Sequence, residues 1–159
     1  MTTLIDAVAE FLAQENIAVT GVSRFREDAA NNIFRRLKET GHQVFPVNPN
    51  AETFDEQPCY PNLKSIPDKV DAVVIVNKPH IAEEICHECA EIGVSRVWMH
   101  RSMEMLGSSV SEPAVDFCRD NGILVIPGGC PMMFCGDVDF GHKFMRWMLG
   151  VTKKIPKEV

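Results

Sequence analysis

Asn16-Ile17-Ala18-Val19-Thr20-Gly21-Val22 is the stretch on which the fold turns. It is a short, mostly β-branched run with no alternation of polarity, broken at Gly21. A strand with one wet face alternates apolar and polar residues, whereas a strand covered on both faces stays apolar throughout. The run therefore reads as a buried strand of a parallel sheet. Parallel neighbours need a crossover to connect them, usually a helix. The flanking sequence supplies one on either side. Upstream, Leu4, Ile5, Val8, Phe11 and Leu12 recur at helical spacing behind Thr3, which predicts a helix near 3–14. Downstream, Ile33, Phe34 and Leu37 predict a second helix that stops at Gly41.

The same alternation continues along the chain. Gln43–Val47 (QVFPV) is a second strand. Residues 48–69 read as irregular, because Pro49, Pro58, Pro61 and Pro67 forbid a long helix, and only Asn62–Ile66 suits a short one. Val70–Val76 (VDAVVIV) is the clearest central strand. Pro79 opens a helix that carries Ile81, Ile85, Cys89 and Ile92 and closes at Gly93. Ser95–Met99 is a fourth strand, Ser111 with Pro113 starts a helix ending at Asn121-Gly122, and Ile123–Ile126 is a fifth strand. Phe140, Phe144 and Met148 mark a last helix, and 153–159 a solvated tail, so 136–159 reads as a C-terminal helix and tail. Strands and helices in turn, with apolar strands, predict an α/β fold: three layers around a doubly wound parallel sheet of about five strands, with right-handed crossovers.

The chain has 159 residues, 45% of them hydrophobic and 24% charged, which suits a single domain over 1–159 with one core. Its net charge of −6 disfavours a general nucleic-acid or anionic-membrane binder. The N-terminus carries Asp6 and Glu10 and no basic leader, and no apolar run is long enough to span a bilayer. Six cysteines are too few for a disulfide scaffold, so reduced thiols in a cytoplasmic setting are expected.

Ligands of doubly wound sheets bind beyond the carboxyl ends of the strands, where the strand order reverses. The first strand ends in Thr20-Gly21-Val22-Ser23-Arg24, and the start of the following helix offers free N–H groups and a positive dipole end to an anion. Arg24, Arg26, Arg35, Arg36 and Lys38 are five of the sixteen basic residues, and with Glu27 and Asp28 they give the segment 24–38 three net positive charges. A basic loop in an acidic protein points to a phosphate-rich ligand. Arg36 and Lys38 read equally well as the wet face of the helix. Gly21 stands alone, so G-x-G-x-x-G is absent, and the second strand ends in Pro46-Val47-Asn48-Pro49 with no carboxylate for a nicotinamide dinucleotide's ribose. There is no Gly-Lys-Ser/Thr for a Walker A loop either.

The chain resembles the small coenzyme A-binding proteins whose Rossmann-like domain also forms the N-terminal part of the succinyl-CoA synthetase α-subunit. The resemblance rests on 18–23 (AVTGVS), 45–49 (FPVNP), 59–67 (CYPNLKSIP), 70–76 (VDAVVIV), 97–99 (VWM) and Cys130-Pro131, in order from about residue 15 to 135. It implies coenzyme A or an acyl-CoA as ligand. The loop Gly21, Val22, Ser23 and Arg24 and the helix start at Asn31 and Asn32 would hold the pyrophosphate. Arg24, with Arg26 or Arg35, would pair with phosphate, including the ribose 3′-phosphate, through bidentate guanidinium contacts. Val47, Asn48 and Pro49 would flank the adenosine, Asn77 and Lys78 would line the same crevice, and Met99, Cys130 and Pro131 would line the pantetheine path. This chain departs from the family in having His100-Arg101-Ser102-Met103 after the fourth strand and Gly128-Gly129 before Cys-Pro. The synthetase's catalytic histidine lies in a second domain, so ligase activity is not implied.

Three functions follow as expectations. The first is a non-catalytic CoA-binding or regulatory module. The second is an enzyme acting on a CoA thioester through His100 or Cys130. The third is an NAD(P)-binding redox or sensor domain, since this fold serves many functions. No metal site is expected: Cys86-His87-Glu88-Cys89 is a C-x-x-C inside a helix, with no second pair at zinc spacing, and reads as core packing. A homodimer or a partner protein is left open by the apolar positions Phe140, Phe144, Trp147 and Met148.

Overall fold

Thr3 sets the first helix in place: its hydroxyl accepts the Asp6 N–H at 3.2 Å and caps α1, Leu4–Leu12. The computed structural model describes residues 2–102, 107–137, 142, 143, 146, 147 and 159. β1 (Asn16–Thr20) leads through a loop to α2 (Ala29–Glu39) and back to β2 (Gln43–Val47). A small hairpin, β3 (Thr53–Phe54) and β4 (Gln57–Pro58), precedes a single 3₁₀ turn at Leu63–Ser65. Then come β5 (Ala72–Ile75), α3 (Pro79–Ile92), β6 (Arg96–Met99), α4 (Glu112–Asp120) and β7 (Leu124–Pro127), followed by a 3₁₀ turn at Pro131–Met133. The expected helix around Phe140, Phe144 and Met148 lies for the most part outside the described residues.

The five long strands are parallel and ordered β2-β1-β5-β6-β7. The chain runs outward from β1 to β2 and then returns to place β5 on the other side of β1. The order reverses there, and the crevice between the β1 and β5 carboxyl ends is the switch point. Among the described residues, α1 and α2 cover one face of the sheet and α3 and α4 the other. Ile17, Val19, Val74 and Trp98 pack with Phe11, Ile33 and Phe34, whereas Ala18, Val73, Ile75 and Met99 pack with Ala82, Cys86, Val115 and Cys118. Strand residues alternate between the two cores, which is why their sequence shows no polar face.

The hairpin corrects the expectation of an irregular segment. Asp55 and Glu56 both take positive φ, 44° and 62°, the backbone of a tight two-residue hairpin turn. Neither is Asn or Gly, so the usual sequence signal is missing. The turn is held from outside, because Phe54 is buried edge-on against Phe34, with ring centroids 5.1 Å apart. Pro58 ends the hairpin on a two-stranded edge, where its missing N–H costs nothing. The other boundaries shift by one or two residues, as strand ends fray into their turns.

Trp98 joins the layers. It is fully buried, meets Phe11 edge-to-face at 5.4 Å, and donates its indole N–H to the Gly128 carbonyl at 2.9 Å. Trp98→Ala removes the largest core side chain and orphans that carbonyl. Urea denaturation should show a loss of about 3–5 kcal/mol.

Candidate functional site

The turn leaving β1 is shaped by one close approach. Gly21 has φ +87°, and a Cβ built there would stand 2.2 Å from the Val76 carbonyl oxygen at the end of β5. No side chain fits that gap, and L-residues avoid that φ. The Gly21 N–H donates to the Val47 carbonyl at 3.1 Å, so the turn is held between the ends of β2 and β5. Thr20 adds a hydroxyl bond to Asn77 Oδ1 at 2.5 Å.

The loop beyond is tied down by three side chains. Asn31 is buried, takes the Ser23 N–H on Oδ1 at 2.9 Å, and donates from Nδ2 to the Ser23 and Arg26 carbonyls at 2.8 and 2.9 Å. Asn48 donates to the Val22 carbonyl at 2.7 Å. Asp28 caps α2, its Oδ1 accepting from Ala30 N at 3.1 Å and Asn31 N at 3.4 Å. Helix α2 therefore begins at Ala29, two residues before the expected start at Asn31 and Asn32. Asp28 outcompetes them because it precedes the apolar period and its carboxylate reaches two free amides.

Two cavities meet at this loop. The larger, about 630 Å³, runs along the β1 and β2 ends and is lined by Gly21, Val22, Ser23, Val47, Asn48 and Pro49 on one side. Its other wall is Ile81 and Ile85 of α3 with Leu63. The smaller, about 410 Å³, lies toward β6 and includes Ala29, His100, Ser108 and Ser109. Arg26, Asp28, Val76, Asn77 and Lys78 line both, so the two form one groove across the switch point.

The basic cluster divides around this groove. Arg35 reaches neither cavity: its Nη1 pairs with Glu27 Oε2 at 2.6 Å and its Nε with Asp55 Oδ2 at 2.7 Å. Those bonds hold the Glu27 and Asp55 carboxyls below their ordinary range and raise the Arg35 guanidinium's pKa. Lys38 donates to Gln57 and Arg36 to the Asp137 carbonyl, so both stay on the outer face of α2. Arg26 and Lys78 are left at the groove. Arg24 is exposed, with its guanidinium 5.6 Å from the Phe25 ring centre, and its charge is close enough to Cys59 to favour that thiolate against the larger opposing effect of burial. Arg24 lines neither of the two cavities.

His100 directly follows β6, with only 3% of its surface exposed. Burial, and to a smaller extent the His142 charge, takes its pKa from an ordinary 6.5 to about 4, so the ring is neutral at pH 7. It is the histidine that sequence order singled out, and it lines the smaller cavity. Met99, Cys130 and Pro131 are buried in the cores and line neither of these two cavities, and Asn32 is exposed on α2. Cys86 and Cys89 are fully buried, as core packing requires, and no metal-holding cluster occurs among the described residues. Sequence reasoning missed Thr20, Asp28, Ser108 and Ser109. Only Asp28 carried a legible signal, as an acid immediately before a helical period.

Residues 15–135 match the family model of the CoA binding domain. The chain belongs to the CoA-binding domain family. It is 39% identical over 82 residues to an acetate–CoA ligase [ADP-forming] II of Archaeoglobus fulgidus, an alignment covering 50% of this chain and 12% of the ligase. The α-subunit of such a ligase II from Pyrococcus furiosus is 34% identical over 88 residues, 55% of this chain and 19% of the subunit. The aligned part of this chain thus spans a fifth or less of these curated relatives. A hypothetical protein from Pyrococcus horikoshii superposes with a TM-score of 0.72 at 28% identity, covering 79% of this chain and 84% of that one. A dinucleotide-forming acetyl-coenzyme A synthetase 1 from Ca. Korarchaeum cryptofilum, solved with phosphate and ADP, gives 0.63 at 27%, covering 75% and 26%.

Two outcomes follow for the CoA-binding domain. Gly21→Ala must move the Val76 carbonyl and take a strained φ, so thermal or urea unfolding should register a loss of about 2–4 kcal/mol. The buried His100 is neutral when folded and charges readily when unfolded. Stability is therefore complete above pH 6.5 and falls as pH drops toward 4, by about 3 kcal/mol from this residue. Its imidazole NMR signals should show no titration between pH 5 and 8.

Proposed function

We propose that the groove binds coenzyme A or an acyl-CoA, and that the chain is a binding or regulatory module rather than a catalyst. The observation that carries this is the Gly21–Val76 approach, which clears side chains from the turn at the start of a groove long enough for an extended nucleotide. The residues fit the ligand. The diphosphate lies against the Gly21–Ser23 loop with Arg26 and Lys78 as counter-charges. The adenosine lies by Val47, Asn48 and Pro49, opposite Ile81 and Ile85. Arg24, exposed on the same loop, meets the ribose 3′-phosphate. The pantetheine arm crosses Val76, Asn77 and Lys78 toward the smaller cavity, instead of passing over Met99, Cys130 and Pro131.

Asn48 stands where a nicotinamide dinucleotide site wants a carboxylate, which favours CoA over NAD. A histidine of pKa about 4 is a weak base at neutral pH, and Cys130 is buried away from the groove, which supports binding over turnover. The six buried thiols, none in a disulfide, suit a reducing cytoplasm. The relatives carry this domain inside larger ligases, which supports action beside a partner protein.

Titration calorimetry with CoA, dephospho-CoA, NAD and NADP tests the reading. CoA should bind, dephospho-CoA more weakly, and the dinucleotides least. Arg24→Ala should weaken CoA by about 1–3 kcal/mol and abolish the preference over dephospho-CoA. Binding of NAD without CoA would discard it.

A further inference from the structure

The smaller cavity has a chemistry of its own. Its lining is mixed: Ala29 and Val76 are apolar, Arg26, Glu27, Asp28 and Lys78 are charged, and His100, Ser108, Ser109 and Asn77 bring neutral polar groups. Glu27 on its edge is already neutralised by Arg35. His100 is buried and Ser109 is 2% exposed, so a group entering there takes the place of water against an uncharged imidazole and hydroxyls. Ser108 Oγ accepts from Val110 N at 3.1 Å and from Arg101 Nε at 3.2 Å, which holds the hydroxyl in place at the cavity wall.

We propose that this cavity receives the acyl end of the ligand and selects acyl groups that carry a hydroxyl. The inference rests on the CoA reading above, since the pantetheine arm delivers the acyl group across Asn77 and Lys78. An alkyl end would strip water from His100 and the serines and return nothing to them, and buried polar groups left unpaired are costly. A hydroxyl donates to the imidazole nitrogen or accepts from a serine.

Competition calorimetry with CoA, butyryl-CoA and 3-hydroxybutyryl-CoA tests this on the full chain. The hydroxybutyryl and butyryl compounds differ by one oxygen, so their ratio isolates the hydroxyl. The hydroxyacyl compound should bind about tenfold more tightly than butyryl-CoA. His100→Leu should bring the ratio close to one. Ser109→Ala, a milder change, should lower it as well and serves if the leucine variant does not fold. Equal or tighter binding of butyryl-CoA, or a ratio that survives both substitutions, overturns the inference while leaving CoA binding intact. Failure of every CoA compound to bind overturns the underlying reading instead.

Discussion

The site depends on the contact between Gly21 and the Val76 carbonyl. Parallel strands stand about 4.8 Å apart, and the turn leaving β1 must pass the end of β5 within that spacing. A methyl group at residue 21 would be 2.2 Å from the carbonyl oxygen. With hydrogen there instead, the backbone turns sharply, its N–H reaches Val47, and the crevice between β1 and β5 stays open. The strand order places the reversal at that same crevice. The groove is thus a consequence of topology that a single glycine keeps clear.

A loop lining a groove must still satisfy its backbone. This one does so with short amide and carboxylate side chains. Asn31 closes the Ser23–Arg26 segment on itself, Asn48 ties it to β2, and Asp28 closes the start of α2. The loop is ordered before any ligand arrives, so less conformational entropy remains to be lost on binding. Asp28 also brings a negative charge to the helix N-terminus, which Arg26 and Lys78 offset for an anionic ligand.

The charge pattern has two separate jobs. Read along the chain, 24–38 is one basic segment. In space, Arg35 links the loop to the hairpin turn through Glu27 and Asp55, and Arg36 and Lys38 face outward. The hairpin, remote in sequence from the loop, therefore buttresses it. Of the basic residues in that segment only Arg26 lines the groove, joined by Lys78 from the end of β5.

Periodicity and punctuation alone determined the order of helices and strands, the parallel sheet and the turn at Gly21. Each of these follows from local burial, caps and breakers that neighbouring residues report. The binding-family resemblance was legible for a similar reason, since its pieces lie at strand ends where the ligand groove forms. Tertiary structure decided the rest. It built a hairpin on Asp55-Glu56 without the usual turn residues, because Phe54 packs on Phe34. It committed Arg35 to two carboxylates, one of them twenty residues away. It buried His100 deeply enough to keep its ring uncharged. Those outcomes depend on which distant side chains come within a few ångströms, and linear spacing carries no record of that.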